Sequence, residues 1–186
     1  MDMGTKEVLW AILYGEIFLT RESQTPRAAE MCRLMLDAYK RFYYTPRDIK
    51  APEYGKTGQT QPASFYDAVH ETFRKLAPVV SDGLSVEDLV MLRTRFIIDW
   101  GRTYADQYPF SLFNWHERLL QNGHFDAYNQ WLFGKTEHTQ QYEAWVSFHK
   151  DAIPAFEAWM VQYPYRPAAG EFYNEGKLKG LFSGRR

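Results

Sequence analysis

The stretch SVEDLVMLRTRFIIDWGRTYADQY, residues 85–108, constrains the fold of this chain more than any other. Leu89, Leu92, Phe96 and Trp100 recur at three- and four-residue intervals and form one helical stripe. Val90, Met91, Ile97 and Ile98 make much of the remaining surface apolar as well. A helix with several apolar faces has several faces to remove from water, so it belongs in the middle of a bundle of other helices. Ser85 supplies its start as a capping residue.

The rest of the chain provides the partners. A first helix is predicted over about 5–20, apolar at Val8, Leu9, Ile12, Leu13 and Ile17. Thr25-Pro26 opens a second with a cap and a proline at the first helical position. Met31, Leu34, Met35, Ala38, Tyr39 and Phe42 then keep helical spacing until Thr45-Pro46, where the residue before proline leaves helical dihedrals. Ser64 opens a third, with Asp67 completing a capping box. Beyond Tyr108-Pro109 the helices shorten to about 111–121, 124–133, 137–149 and 154–163, parted by Gly123, Gly134 and Pro154. A glycine just past a helix end is the expected left-handed cap. The expectation is an all-α bundle of seven or eight helices, longer in the N-terminal half and short and hairpin-like in the C-terminal half. Residues 1–163 would form one all-helical domain with a lobe boundary near 108. Residues 44–64, with three prolines and two glycines, read as a long loop, either functional or mobile. Residues 164–186 read as an extended basic tail, carrying five basic residues against two acids, a formal +3 that leaves −4 on the body.

Aromatic content is the unusual part of the composition, with 13 Phe, 13 Tyr and 6 Trp. Trp100, Trp115, Trp131, Trp145 and Trp159 fall 15, 16, 14 and 14 residues apart, about one per short helix and turn. The same region repeats a pattern: FDAY at Phe125–Tyr128, YEAW at Tyr142–Trp145 and FEAW at Phe156–Trp159. The two aromatics of each copy are three apart and share a helix face, while the alanine allows close approach. The repeat is read as one packing anchor per helix. LLQNGHFDAYNQWLFG resembles the helical hairpins of tetratricopeptide-type proteins over about residues 111–163, with Leu120, Gly123 and Phe125 at the turn and at the start of the second helix. It departs from them in its shorter spacing of about 28–31 residues and in carrying Tyr128 where they carry a small residue. Such hairpins are protein-interaction scaffolds, so the resemblance implies partner binding.

Sequence patterns argue against most chemistries. A formal charge of −1 offers no global attraction to nucleic acid. Cys32 is the only cysteine, which excludes an intrachain disulfide and reads as a packed thiol. The run VLWAILYGEIFL contains Glu16 and has 12 residues against the roughly 20 needed to span a bilayer. With no basic stretch before it, no secretory leader is expected and the protein reads as cytoplasmic. Gly55-Lys56-Thr57 lacks the glycine, strand and helix of a phosphate loop, since Lys50 stands at the glycine position. His116-Glu117 begins like a zinc-protease helix, but Leu120 replaces the second histidine. His138 and His149, 11 residues apart, are too distant along a helix to share an ion. Glu-x-x-His, the di-metal signature of bundles, does not occur; Asp67-x-x-His70 is the nearest echo. Arg93, Arg95 and Arg102 approach a basic patch, interrupted by Asp99, for which an ion pair with Arg95 or Arg102 is expected. Glu16 is expected to face water beside Gly15.

The sequence therefore points to a non-enzymatic interaction or scaffold subunit whose partner is another protein, with self-association as an alternative, no cofactor, no metal, no nucleic acid and no membrane span. Leu178, Leu181 and Phe182, flanked by Lys177 and Lys179, are the expected contact residues of the tail, since apolar anchors among cations suit an acidic, apolar groove. The competing reading is a helical pocket for an apolar or aromatic small molecule, with turnover on Asp67, His70 or Glu16.

Overall fold

The computed structural model describes residues 3–23, 25–44, 64–76, 84–137 and 139–169. Their regular structure is all helical, with no strand among them. The order is α1 (Met3–Leu19), α2 (Pro26–Tyr44), α3 (Phe65–Leu76), α4 (Val86–Thr103), α5 (Ser111–Gln121), α6 (Phe125–Asn129), a π-helical turn (Gln130–Gly134), α7 (Lys135–Glu137), α8 (Thr139–Phe148) and α9 (Ala152–Gln162). Counting α6, the π turn and α7 as one run gives eight helices among the described residues, within the seven or eight that the periodicity predicts.

Local chemistry sets most boundaries. The Ser85 hydroxyl accepts from the Asp88 backbone while Asp88 Oδ2 accepts from the Ser85 backbone, a complete capping box that opens α4. At α3 the Ser64 hydroxyl accepts from Asp67 N at 3.1 Å and donates to Asp67 Oδ2 at 2.6 Å. Thr25 Oγ1 accepts from Ala28 N at 3.2 Å and starts α2. Gly123 takes φ of +73° between α5 and α6, where any other residue would be strained. Gly134 differs from expectation. The helix does not end there but widens into a π turn and continues into α7.

α4 packs on α3, α5, α6 and the π turn, and α1 lies along α2. Leu89, Leu92, Phe96, Ile97 and Trp100 are all buried, so α4 is the central helix, although Ile98 remains on its exposed side. The core is dominated by rings. Phe73 stacks on Phe96 at 4.1 Å, and Phe113 meets both Phe96 and Trp100 edge-on at about 5 Å between centroids. Of the repeated aromatics, Phe125, Tyr128, Phe156 and Trp159 are buried, whereas Trp145 is half-exposed, stacks on His149 and donates to Asp126 at 3.3 Å.

The last described residues qualify the tail reading. Tyr165, 4% exposed, packs against Trp115 and shares a 3.0 Å hydrogen bond with Ser111, and Trp115 Nε1 donates to the Tyr163 carbonyl. The packed body thus extends beyond residue 163. No helix among the described residues is long and apolar enough to cross a membrane.

Candidate functional site

Three helices each place a polar side chain on an inward apolar stripe. On α1 the stripe is Leu9, Ile12, Leu13, Glu16 and Leu19; on α4 it is Leu89, Leu92, Arg93, Phe96 and Trp100; on α5 it is Leu112, His116 and Leu119. Helical periodicity leaves these residues no route to water, so they meet one another. Glu16 is 1% exposed and Arg93 2%. The expectation that Glu16 faces water is therefore overturned, because position 16 lies three and four residues beyond Leu13 and Ile12 on the core face. Arg93 is likewise turned into the core and away from Arg95 and Arg102, both of which are exposed.

The cluster converges on one oxygen. Arg93 Nη2 ion-pairs with Glu16 Oε1, and the Tyr128 hydroxyl of α6 donates to the same atom at 2.6 Å. His116 Nε2 stands 2.8 Å from it without the alignment of a hydrogen bond. Arg93 Nη1 donates to Asn129 Oδ1 at 2.5 Å, and Asn129 Nδ2 donates to the Phe125 carbonyl at 2.6 Å. The rings of Tyr39, Phe125, Tyr128 and Phe133 surround the guanidinium at 5.5–5.8 Å, within cation–π range.

Electrostatics fixes the protonation states. Burial by itself would raise the Glu16 carboxyl, but the Arg93 charge and the donors around Oε1 outweigh it and hold the carboxyl at about 2. Burial opposes the Arg93 charge, and the Glu16 carboxylate reverses that and raises the guanidinium further. His116 is pushed down, first by burial, with Arg93 acting in the same sense, and stays neutral near pH 7. Burial and then Glu16 lift the Tyr128 phenol well above its usual range, which keeps it a hydrogen-bond donor. Beside the cluster lies a cavity of about 20 Å³ walled by groups such as Leu9, Phe96 and Phe113. That is room for one water, not for an organic substrate.

The other expected residues do not join this cluster. Asp67 caps α3, and His70 sits between the rings of Tyr66 and Phe42, at 5.8 and 5.9 Å. Asp99 makes no ion pair with Arg95 or Arg102 among the described residues, and another basis for its place in the apolar run is its partial exposure. Burial pushes the Cys32 thiol up to about 11, so this half-buried cysteine is a slowly reacting thiol and not an activated one. Leu178, Leu181, Phe182, Lys177, Lys179, Gly55–Thr57, His138 and most of the 44–64 loop lie outside the described residues. Among the described residues no three His, Cys, Asp or Glu side chains converge as metal ligands.

A second feature lies on the outer side of α1 and α2, a groove of about 820 Å³. On α1 it is bordered by Val8, Ala11, Gly15 and Phe18, and on α2 by Met31, Leu34, Ala38 and Arg41. Both sets follow the spacing i, i+3, i+7, i+10 of a coiled-coil seam. Tyr14 and Leu34 stand 48% and 55% exposed at its edges. A Cβ on Gly15 would come within 2.8 Å of Met35 Cγ, so the glycine lets the two helices close at the groove floor. Compared with family models, with curated proteins and with solved structures, the chain matches none.

Proposed function

We propose that the protein is an interaction domain that takes up an amphipathic α-helix of a partner protein in the groove between α1 and α2. The supporting observation is the pair of groove-lining seams, Val8-Ala11-Gly15-Phe18 and Met31-Leu34-Ala38-Arg41, each at heptad spacing and exposed at Ala11, Leu34 and Arg41. Apolar surface at that period fits the side chains of another helix and leaves a cost in water until something covers it. Asp37 and Arg41, one turn apart on α2, are the charged groups of the lining. The partner helix is therefore one with apolar residues at heptad spacing and a base and an acid one turn apart. Leu178, Leu181 and Phe182, with Lys177 and Lys179, belong to the same reading as a second contact. The competing reading of small-molecule turnover at Glu16, Asp67 or His70 has less support, because the cavity at Glu16 is only about 20 Å³ and Asp67 and His70 serve local packing.

A photo-crosslinking residue introduced at Leu34 tests the reading in the native host, with Val161 on the exposed face of α9 as the control position. The expected product joins position 34 to a peptide of heptad-spaced apolar residues. Equal, scattered labelling from both positions would defeat the proposal, and a crosslink to the chain's own peptide would replace the separate partner by a second copy. The tail contact is tested with a chain ending at Ala169 rather than at Tyr163, since the shorter one would also remove the buried Tyr165.

A further inference from the structure

A cleft of about 520 Å³ separates the beginning of α2 from the π turn, α7, α8 and α9. Its size is that of small-molecule sites, roughly 300–1,000 Å³. We propose that it binds a small organic anion with a flat apolar body, an aromatic carboxylate being the simplest member of the class.

Two cations face it from opposite walls, Arg33 on α2 and Lys135 on α7, against one acid, Glu157 on α9. Among the described residues neither Arg33 nor Lys135 has a carboxylate within ion-pair distance. Arg33 Nε makes only a long 3.4 Å bond to the Ala29 carbonyl. The apolar body has its own wall in Trp131 and Leu132 of the π turn and Ile153 of α9. The rest of the lining is largely polar, with Ser23, Thr25 and Thr136 among it, so the cleft joins one aromatic wall to charged and hydrogen-bonding groups suited to a carboxylate.

The Lys135 wall is built into the fold. A Cβ at Gly134 would fall 2.3 Å from Tyr142 Cδ2, so only glycine lets the Tyr142 ring lie against the backbone there. The Lys135 ammonium rests 5.6 Å above that same ring. A π turn interrupts regular hydrogen bonding and recurs at functional sites, and this one carries Trp131 and Leu132 into the cleft. The site lies apart from the α1–α2 groove and does not depend on it.

Cys32 lines the cleft and is the only cysteine of the chain, so it reports occupancy. The experiment follows alkylation of Cys32 in the full-length protein by iodoacetamide in mildly alkaline buffer, with 1-naphthoate, its neutral amide, or inorganic phosphate present. With naphthoate at ten times its dissociation constant, alkylation is expected to slow about tenfold, and the amide is expected to protect far less. Lys135→Gln and Arg33→Gln should each abolish protection while the melting temperature without ligand stays unchanged. Equal protection by acid and amide would overturn the proposal, since it would leave only an apolar patch. Absence of protection at millimolar naphthoate would overturn it too, and so would phosphate protecting as well as naphthoate, which marks an unselective cationic surface. Should either Gln variant melt lower, calorimetric titration of the unaltered protein with naphthoate and the amide decides on the same criteria.

Discussion

α1 borders two regions that treat polarity in opposite ways. Its inner side places the Glu16 carboxylate in the core, paired with Arg93 and supplied with the Tyr128 hydroxyl. Its outer side leaves Ala11 and Tyr14 in water along an apolar groove. Each arrangement carries a cost: burying an ion takes several kcal/mol, and apolar area left in water forgoes about 25 cal/mol per Å². The inner cost is balanced inside the molecule, by an opposite charge and four rings. The outer one has no such balance among the described residues, and the difference separates a region that holds the fold from one that, on the proposed reading, receives a partner helix.

The sharpest way to break the inner region is Glu16→Gln. It leaves the Arg93 charge buried without its counter-ion, and urea denaturation should show a loss of about 3–5 kcal/mol. The same region can be emptied by acid. Glu16 sits at about 2 in the folded protein and near 4.5 in the unfolded chain, so its contribution is complete above pH 4.5 and drains away as pH falls toward 2. His116 acts earlier: its folded value lies below 6.5, the unfolded chain takes up the proton first, and stability begins to fall below pH 6.5. Melting temperatures across pH should therefore show two descents, and His116→Gln should remove the upper one. Tyr128→Phe takes one donor from the carboxylate and should cost about 1.5–3 kcal/mol. At the opposite extreme, Leu34→Ser in the groove should move stability by less than about 0.5 kcal/mol and still abolish the crosslink-defined association. A large stability loss from Leu34→Ser would mean that the groove residues hold the fold after all.

The helices were legible in the sequence because their signals are local. Ser64 with Asp67, Ser85 with Asp88, and Gly123 each act over three or four residues, and the helix at 111–121 lies where periodicity puts it. Gly134 misled for the converse reason: its close neighbour is Tyr142, eight residues on and in another helix, and that contact favours a glycine that does not end the helix. The buried cluster was half legible. Glu16, Arg93 and His116 each interrupt an apolar stripe, which is the signal that could have found them. What no local pattern reveals is that the three interruptions share one depth in the bundle.

The distances along the chain within that cluster bear on how the protein is made. Arg93 follows Glu16 by 77 residues and Tyr128 follows it by 112. A ribosome will therefore have released α1 and α2, with their apolar faces, well before the groups that neutralise Glu16 have been synthesised. Contacts of such separation close large loops and slow folding. The nascent N-terminal hairpin must persist through that interval with its carboxylate hydrated, and the charge that orders the finished interior is among the last to be satisfied as the chain is built.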